Sequence, residues 1–225
     1  MQKKIKMLSA IEENYIKSIY KLLEAGHRPV STNSLAEKMD IKAASATDML
    51  KRLNEKLLIH YQKYQGVTLT EKGTHIALQI IRKHRLWEMF LVEKLNFTWD
   101  EVHDVAEQLE HIHSEKLIQE LDRFLEYPRF DPHGEPIPSA SLEMQYDQRT
   151  TLVNFKKGDH LRVTGVKDDS PLYLTYLDSI GIDLDTKIEI LQLNEYDNTI
   201  LISTNGRPAN LISIQVAQNL IVKMD

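Results

Sequence analysis

The sequence predicts a mainly α protein that ends in a small β unit. Three observations carry this. Apolar residues recur at helical intervals from the first turns to about Leu125. Tyr127 to Ser139 then brings four prolines and a glycine, which the interior of a helix or sheet does not tolerate. From Thr151 the pattern changes to short β-like runs split by Lys157–Gly158, Asp197–Asn198 and Asn205–Gly206, as in a small barrel or sandwich.

Residues 8–24 read as the first helix. Ser9 is its N-cap, and Glu12, three residues on, completes a capping box. Ile11, Tyr15, Ile16, Ile19, Leu22 and Leu23 form its apolar stripe, and Gly26 stops it. Residues 31–58 read as two short helices joined by a turn at Asp40, Ile41 and Lys42. In the second, from about Ala43 to Lys56, Ala46, Leu50, Leu53 and Leu57 share one face. Ala44, Thr47, Asp48 and Lys51 share the other. A packed side opposite small and polar side chains is what a helix-turn-helix recognition helix needs. Leu58–Tyr64 and Val67–Leu69 then alternate like strands around a Gln65–Gly66 turn, which makes the unit a winged helix. Ser45, Thr47 and Lys63 are the expected phosphate contacts, and Lys42 joins the DNA-facing set. Ala44, Asp48 and Lys51 are expected at base edges, with Asp48 either accepting from a cytosine amine or pairing with Lys51 or Arg52.

Glu71–Lys72–Gly73 is expected to end the wing. A long helix follows through His75 and His84 to about Leu95. A break at Asn96–Trp99, with Thr98 as N-cap, leads into a helix over 100–112. Another helix opens at Ser114 and runs to about Leu125. These helices carry more apolar surface than a helix pair hides, so part of it is expected at a dimer interface. The β runs are LVNF, HLRVTGV, KIEILQL, TILIST and NLIVKM, with Pro171–Ile180 a short helix.

The 225 residues can bury a sizeable core. The absence of cysteine excludes disulfides, thiolate metal sites and thiol redox switches. No apolar run reaches membrane-spanning length, and Met1–Met7, with three lysines, lacks a following apolar h-region, so the expected compartment is the cytosol. The net charge of −5 hides an asymmetry: residues 1–75 hold 13 Lys/Arg against 8 Asp/Glu, and residues 76–127 hold 6 against 11. A basic first third points to a polyanionic partner.

The chemistry concentrates between His84 and His111. His84 and Glu88 are four residues apart. His103, Glu107 and His111 repeat that spacing, and Glu110 sits beside His111. On a helix, 103, 107, 110 and 111 would fall within an arc of about 100°. Imidazole and carboxylate on two facing helices suit one or two first-row metal sites, for manganese, iron, cobalt, nickel or zinc. By the same helical angle His113 lies about 200° from His111 and is expected to face away. His27, His60, His75, His133 and His160 read as surface residues. Two other readings stay open. Glu110–His113 matches the ExxH of di-iron carboxylate oxidases, but its only counterpart, Glu24–His27, is interrupted by Gly26. A winged-helix regulator of an organic ligand would leave the His/Glu array as a solvated face. No Ser/His/Asp or Gly-rich phosphate motif favours another enzyme.

A winged helix, then this His/Glu array, then Asp131–Pro138 and a small β unit, resembles the diphtheria toxin repressor family of metal-dependent regulators over nearly the whole chain. The resemblance implies domains at 1–73 (winged helix-turn-helix), 74–140 (helical metal-binding and dimerisation) and 151–225 (SH3-like, FeoA-like), with a linker at 141–150. It implies a primary metal site of Glu107, Glu110 and His111 with Asn14, and an ancillary site of His84, Glu88 and His103 to which Asp168 and Asp169 of the β domain are the nearest further donors. Glu107 stands where the iron-sensing branch has cysteine, which implies Mn2+ first and Fe2+ as the alternative. Asn14 stands where the manganese branch has aspartate, and Lys17 where small manganese regulators carry a cluster glutamate, which implies separated sites rather than a close metal pair. The implied function is a homodimeric repressor of metal-uptake genes, not an enzyme, in which the ion fastens the first helix to the helix 100–112 and so sets the winged helices on operator DNA.

Overall fold

The computed structural model describes residues 8–145 and 150–225. It divides into two compact units. One comprises Met1–His84, Glu110–His113 and Pro138–Glu143, and the other Arg85–Leu109, Ser114–Ile137 and Met144–Asp225. The expected linker at 141–150 lies partly outside the described residues.

The first unit is a winged helix. It runs α1 (Ala10–Glu24), α2 (Thr32–Lys38), α3 (Ala43–Glu55), β1 (Ile59–Gln62) and β2 (Gly66–Leu69), then enters α4 (Glu71–Leu95), whose first half it contains. The capping box at α1 is present in full, with Glu12 N–H donating to Ser9 Oγ at 3.3 Å and Ser9 N–H to the Glu12 carboxylate at 3.0 Å. Ile16, Ile19, Leu35, Leu50, Leu53, Leu58, Ile59 and Val67 are wholly buried together. The two wing strands pair antiparallel, and Val30 adds a bridge to Val67. Gly66 permits this: its φ is +94°, and a Cβ there would lie 2.7 Å from the Val30 carbonyl oxygen.

Two expectations change here. Leu57 does not continue the buried face of α3; its φ is +58° and it is 73% exposed. The helix has ended, so the 3.6-residue period no longer places it, and Leu58 takes the core position. Glu71–Lys72–Gly73 is the first turn of α4, not a terminator. Gly73 is there because a Cβ would sit 2.0 Å from the Leu58 carbonyl oxygen, so the helix can pass the wing only with a bare backbone.

The second unit holds the rest of α4, then α5 (Val102–Leu109), α6 (Glu115–Phe124), the proline-rich segment and a β unit. The β unit contains β3 (Thr150–Thr151), β4 (His160–Val166), α7 (Pro171–Ser179), β5 (Lys187–Asn194), β6 (Thr199–Thr204), β7 (Asn210–Ser213), α8 (Ile214–Asn219) and β8 (Leu220–Met224). All pairings are antiparallel in the order β3-β8-β4-β5-β6-β7. Alternate residues of β4, β5 and β6 face a core with Leu152, Leu174, Leu177 and Leu220. The expected strand LVNF is a 3₁₀ turn over Leu152–Asn154, and β7 and α8 were not anticipated. Gly134 of the proline-rich segment packs on β4, where a Cβ would meet the Thr164 carbonyl oxygen at 2.1 Å, and Val166 N–H donates to the His133 carbonyl. The helix expected over 100–112 is shorter than its pattern, because α5 ends at Leu109.

Candidate metal centre and nucleic-acid interface

In the first unit, α1 turns Glu13 and Lys17 toward Glu110 and His111, which follow α5 in sequence. Lys17 Nζ lies 2.7 Å from Glu110 Oε1 and donates a directed hydrogen bond to Oε2 at 2.8 Å. His84 Nδ1 is 2.6 Å from the same Oε2. Glu110 is wholly buried. Burial favours its neutral form, but the His84 hydrogen bond and the Lys17 charge together hold the carboxyl below the usual carboxylate range. His111 Nδ1 meets Glu13 Oε2 at 2.6 Å, which leaves Nε2 facing Glu110 Oε1 at 3.8 Å. A carboxylate on one imidazole nitrogen orients the other for a metal. Lys83 also feels this anion pair: burial lowers its pKa, and the Glu13 and Glu110 charges offset only part of that.

Glu110 Oε1 is buried without a directed hydrogen bond, and so is Asn14 Oδ1, next to Glu13 in sequence on α1. A neutral buried acceptor left without a donor, such as Asn14 Oδ1, costs about 1–3 kcal/mol, whereas Glu110 Oε1 has the Lys17 ammonium beside it. Oxygen and imidazole donors of this kind suit a hard or borderline divalent cation, so the residues fit a metal ion. Two expectations are corrected. His113 does not face away; its Nε2 is 3.8 Å from Glu13 Oε1. The angular argument needed a helix at 111–113, and α5 has already ended. For the same reason Glu110–His113 is not a helical ExxH pair. Glu107 lies on α5, half-buried.

In the second unit the side chains of Glu88, Asp131 and His133 converge, all buried, with one ligand atom from each within 4.8 Å of the others. Glu88 follows His84 by one turn of α4. His103 Nδ1 is 3.5 Å from Glu88 Oε1, and His133 Nδ1 is 3.8 Å from the same oxygen. The expectation that His133 is a surface residue fails. It is 4% exposed, and its Nε2 lies 2.7 Å from the Trp99 carbonyl oxygen. Only the motif at Asp131–Pro138 hinted at this. Asp131 Oδ1 accepts from the N–H groups of His133 and Glu135 at 2.9 and 2.8 Å, and Oδ2 lies 3.4 Å from Arg85 Nε. Burial and the Glu88 charge push the Asp131 pKa up to about 7 against the pull of Arg85. Burial would lower the His133 pKa, but Asp131 and Glu88, helped by the Trp99 carbonyl and Asp169, raise it. Asp169 therefore acts here through its charge. Asp168 is engaged locally, accepting from Ser170 N–H ahead of α7.

The winged helix presents Lys42, Ala44, Ser45, Asp48, Lys51 and Lys63 to solvent and leaves Thr47 half-buried. Asp48 pairs with Lys51 at 3.2 Å, one of the two arrangements expected for it. Both side chains are well exposed, so the pair is worth little. Thr47 Oγ1 donates to the Ala43 carbonyl at 2.9 Å. An open groove of about 410 Å³ runs between α3 and the wing, lined by Ala44, Thr47, Tyr61, Lys63, Tyr64 and the start of α2. On the second unit an apolar groove is lined by Trp87, Phe90, Leu117, Leu121 and Phe124, with Phe124 59% exposed. Among the described residues no helix is long and apolar enough to cross a membrane.

Comparison with known proteins bears on all three segments. Residues 7–67 match the N-terminal DNA-binding domain of iron-dependent repressors, residues 70–139 their metal-binding and dimerisation domain, and residues 150–224 the FeoA domain. The iron-dependent repressor of Mycobacterium tuberculosis is 35% identical over 126 residues, which are 56% of this chain and about half (54%) of that protein's length. The diphtheria toxin repressor of Corynebacterium efficiens is 27% identical over 210 residues, covering 89% of this chain and 90% of that one. A solved manganese-dependent transcriptional repressor in complex with manganese superposes with a TM-score of 0.80 at 35% identity, over 95% of this chain and 99% of that one.

Proposed function

Because this chain belongs to the diphtheria toxin repressor family of metal-dependent transcriptional repressors, we propose that it senses Mn2+, with Fe2+ as the alternative, and represses metal-uptake genes as a cytoplasmic homodimer on operator DNA. The observation that carries the metal reading is Glu110 Oε1, buried and facing the His111 Nε2 that Glu13 orients, together with Asn14 Oδ1, buried on α1 with no directed hydrogen bond. The primary site is Asn14, Glu107, Glu110 and His111. A second cation site is Glu88, His103, Asp131 and His133, with His84 one helical turn before Glu88, and with Asp169 supplying charge nearby. The proposed domains are 1–73, 74–140 and 151–225 with a linker at 141–150, supported by the family matches at 7–67, 70–139 and 150–224.

When bound, a divalent ion would supply positive charge to carboxylates that burial otherwise disfavours. The chain's own residues do the rest. Glu13 orients His111. Lys17 holds Glu110 on α1, and α1 packs in the same core as the recognition helix. Lys42, Ser45, Thr47 and Lys63 meet phosphates, and Ala44, Asp48 and Lys51 face base edges. The apolar groove of Trp87, Phe90, Leu117 and Phe124 suits the dimer contact. Two recognition helices would then read half-sites about one helical turn, or a multiple, apart.

Fluorescence anisotropy of genomic-upstream duplexes, titrated with protein at fixed salt, tests this reading. Chelator should leave weak, sequence-independent binding, and manganese or iron(II) should tighten it on selected sequences. Salt is fixed because phosphate contacts dominate the affinity. Equal binding with and without every divalent ion would sink the metal reading and favour a winged-helix regulator of another ligand.

A further inference from the structure

Trp99 stands between the Glu88–Asp131–His133 cluster and the β unit and is bonded to both. Its carbonyl oxygen is 2.7 Å from His133 Nε2. Its indole Nε1 donates to Asp178 Oδ1 of α7 at 2.9 Å. The ring itself belongs to the hydrophobic core of the β unit, with Leu174, Leu177 and Ile182. A carbonyl can only accept, so His133 Nε2 must carry hydrogen whether the ring is charged or neutral. The nitrogen left to bind an ion is Nδ1, the one that faces Glu88. His133 is held from its other side too, because Val166 N–H of β4 donates to its carbonyl.

We propose that Trp99 is a positioning residue that couples ion binding at Glu88–Asp131–His133 to the seating of the β unit: its carbonyl aims His133 Nδ1 into the cluster, and its indole, anchored on Asp178, fixes where that carbonyl lies. The proposal rests on the reading of this cluster as a cation site. Coupling of this kind is reciprocal. Anchoring Trp99 favours the ion, and the ion favours an anchored Trp99. Outer partners that orient a ligand typically contribute 10–100-fold to metal affinity.

Calorimetric titration of the full chain with manganese provides the test. Glu88→Gln should remove one binding event from the wild-type profile. Trp99→Phe, which keeps the ring but loses the indole donor, should weaken that same event by about tenfold and leave the other unchanged. Asp178→Leu should do likewise through a residue outside the cluster, which guards against a Trp99 variant that folds poorly. Asp178→Asn, whose side-chain oxygen still accepts, should restore it. Exchange of the Trp99 indole hydrogen should slow on loading with zinc, which is diamagnetic, in the wild type but not in Glu88→Gln. If Glu88→Gln removes no event, the cluster is not an ion site and the proposal falls with it. If Glu88→Gln removes an event but neither Trp99→Phe nor Asp178→Leu weakens it, an ion site that uses Glu88 stands and the coupling through Trp99 is wrong.

Discussion

The carboxylates of the two clusters are neutralised differently. Around Glu110 the chain supplies its own cations: Lys17 touches both carboxylate oxygens, His84 bonds one of them, and Lys83 lies close enough to feel the charge. The carboxyl is correspondingly held low despite its burial. Around Asp131, Arg85 lies 3.4 Å from one carboxylate oxygen, yet burial and the charge of Glu88 push Asp131 up to about 7. A buried anion needs a partner, and the two clusters meet that need to different degrees. An ion entering the first must compete with a resident ammonium. An ion entering the second relieves a crowding that the protein leaves in place.

The largest effects should come from breaking the first cluster. Glu110→Ala strands Lys17 and His84 in a buried site and is expected to cost about 3–5 kcal/mol in urea unfolding with chelator present. Wild-type stability in that variant would mean the cluster does not hold α1 at all. Lys17→Met should cost about 3 kcal/mol in chelator for the same reason. Most of that loss should return at saturating manganese, measured as a larger metal-induced rise in Tm than wild type shows. An equal rise in both proteins would remove the lysine from the comparison.

The second cluster should respond with the opposite sign. Asp131→Asn keeps an oxygen for the two backbone N–H groups and removes one of the crowded charges. Chelator-treated protein should be unchanged or more stable by about 1 kcal/mol, while one manganese-binding event is lost from the calorimetric profile. A loss of stability as large as that of Glu110→Ala would show that the two clusters are built alike.

The smallest effect belongs to an exposed network that serves as a reference for the buried ones. Hydrogen bonds from Lys187 and Arg162 hold the Asp225 carboxyl below its usual range. Its folded pKa is therefore depressed, so its contribution is present above the unfolded value near 3.8 and is lost as pH falls through the folded one. Thermal unfolding between pH 5 and 2, as round order-of-magnitude limits, should show a slightly steeper acid loss in wild type than in Asp225→Asn.

Much of the fold could be read in advance because its signals are local. The capping box at Ser9 and Glu12, the split faces of α3, the Gln65–Gly66 turn and the one-turn spacing of His84 and Glu88 each involve residues a few positions apart on one element. The failures also share a cause. Leu57 and His113 lie past the ends of the helices whose angles were used to place them, and a helical angle says nothing past the last helical residue. His133 looked like a surface residue because nothing in Asp131–Pro138 tells how deeply that segment packs on β4.

The sequence alone determined the order of the units, the recognition helix and wing, and the donor types available to an ion, because apolar period, turn chemistry and side-chain identity are properties of short stretches. Only the tertiary structure decided which donors meet. Lys17 and Glu110 pair across 93 positions, and Trp99 reaches Asp178 across 79. Contacts at such separations depend on how whole elements pack, and the periodicity within an element carries no record of its neighbours.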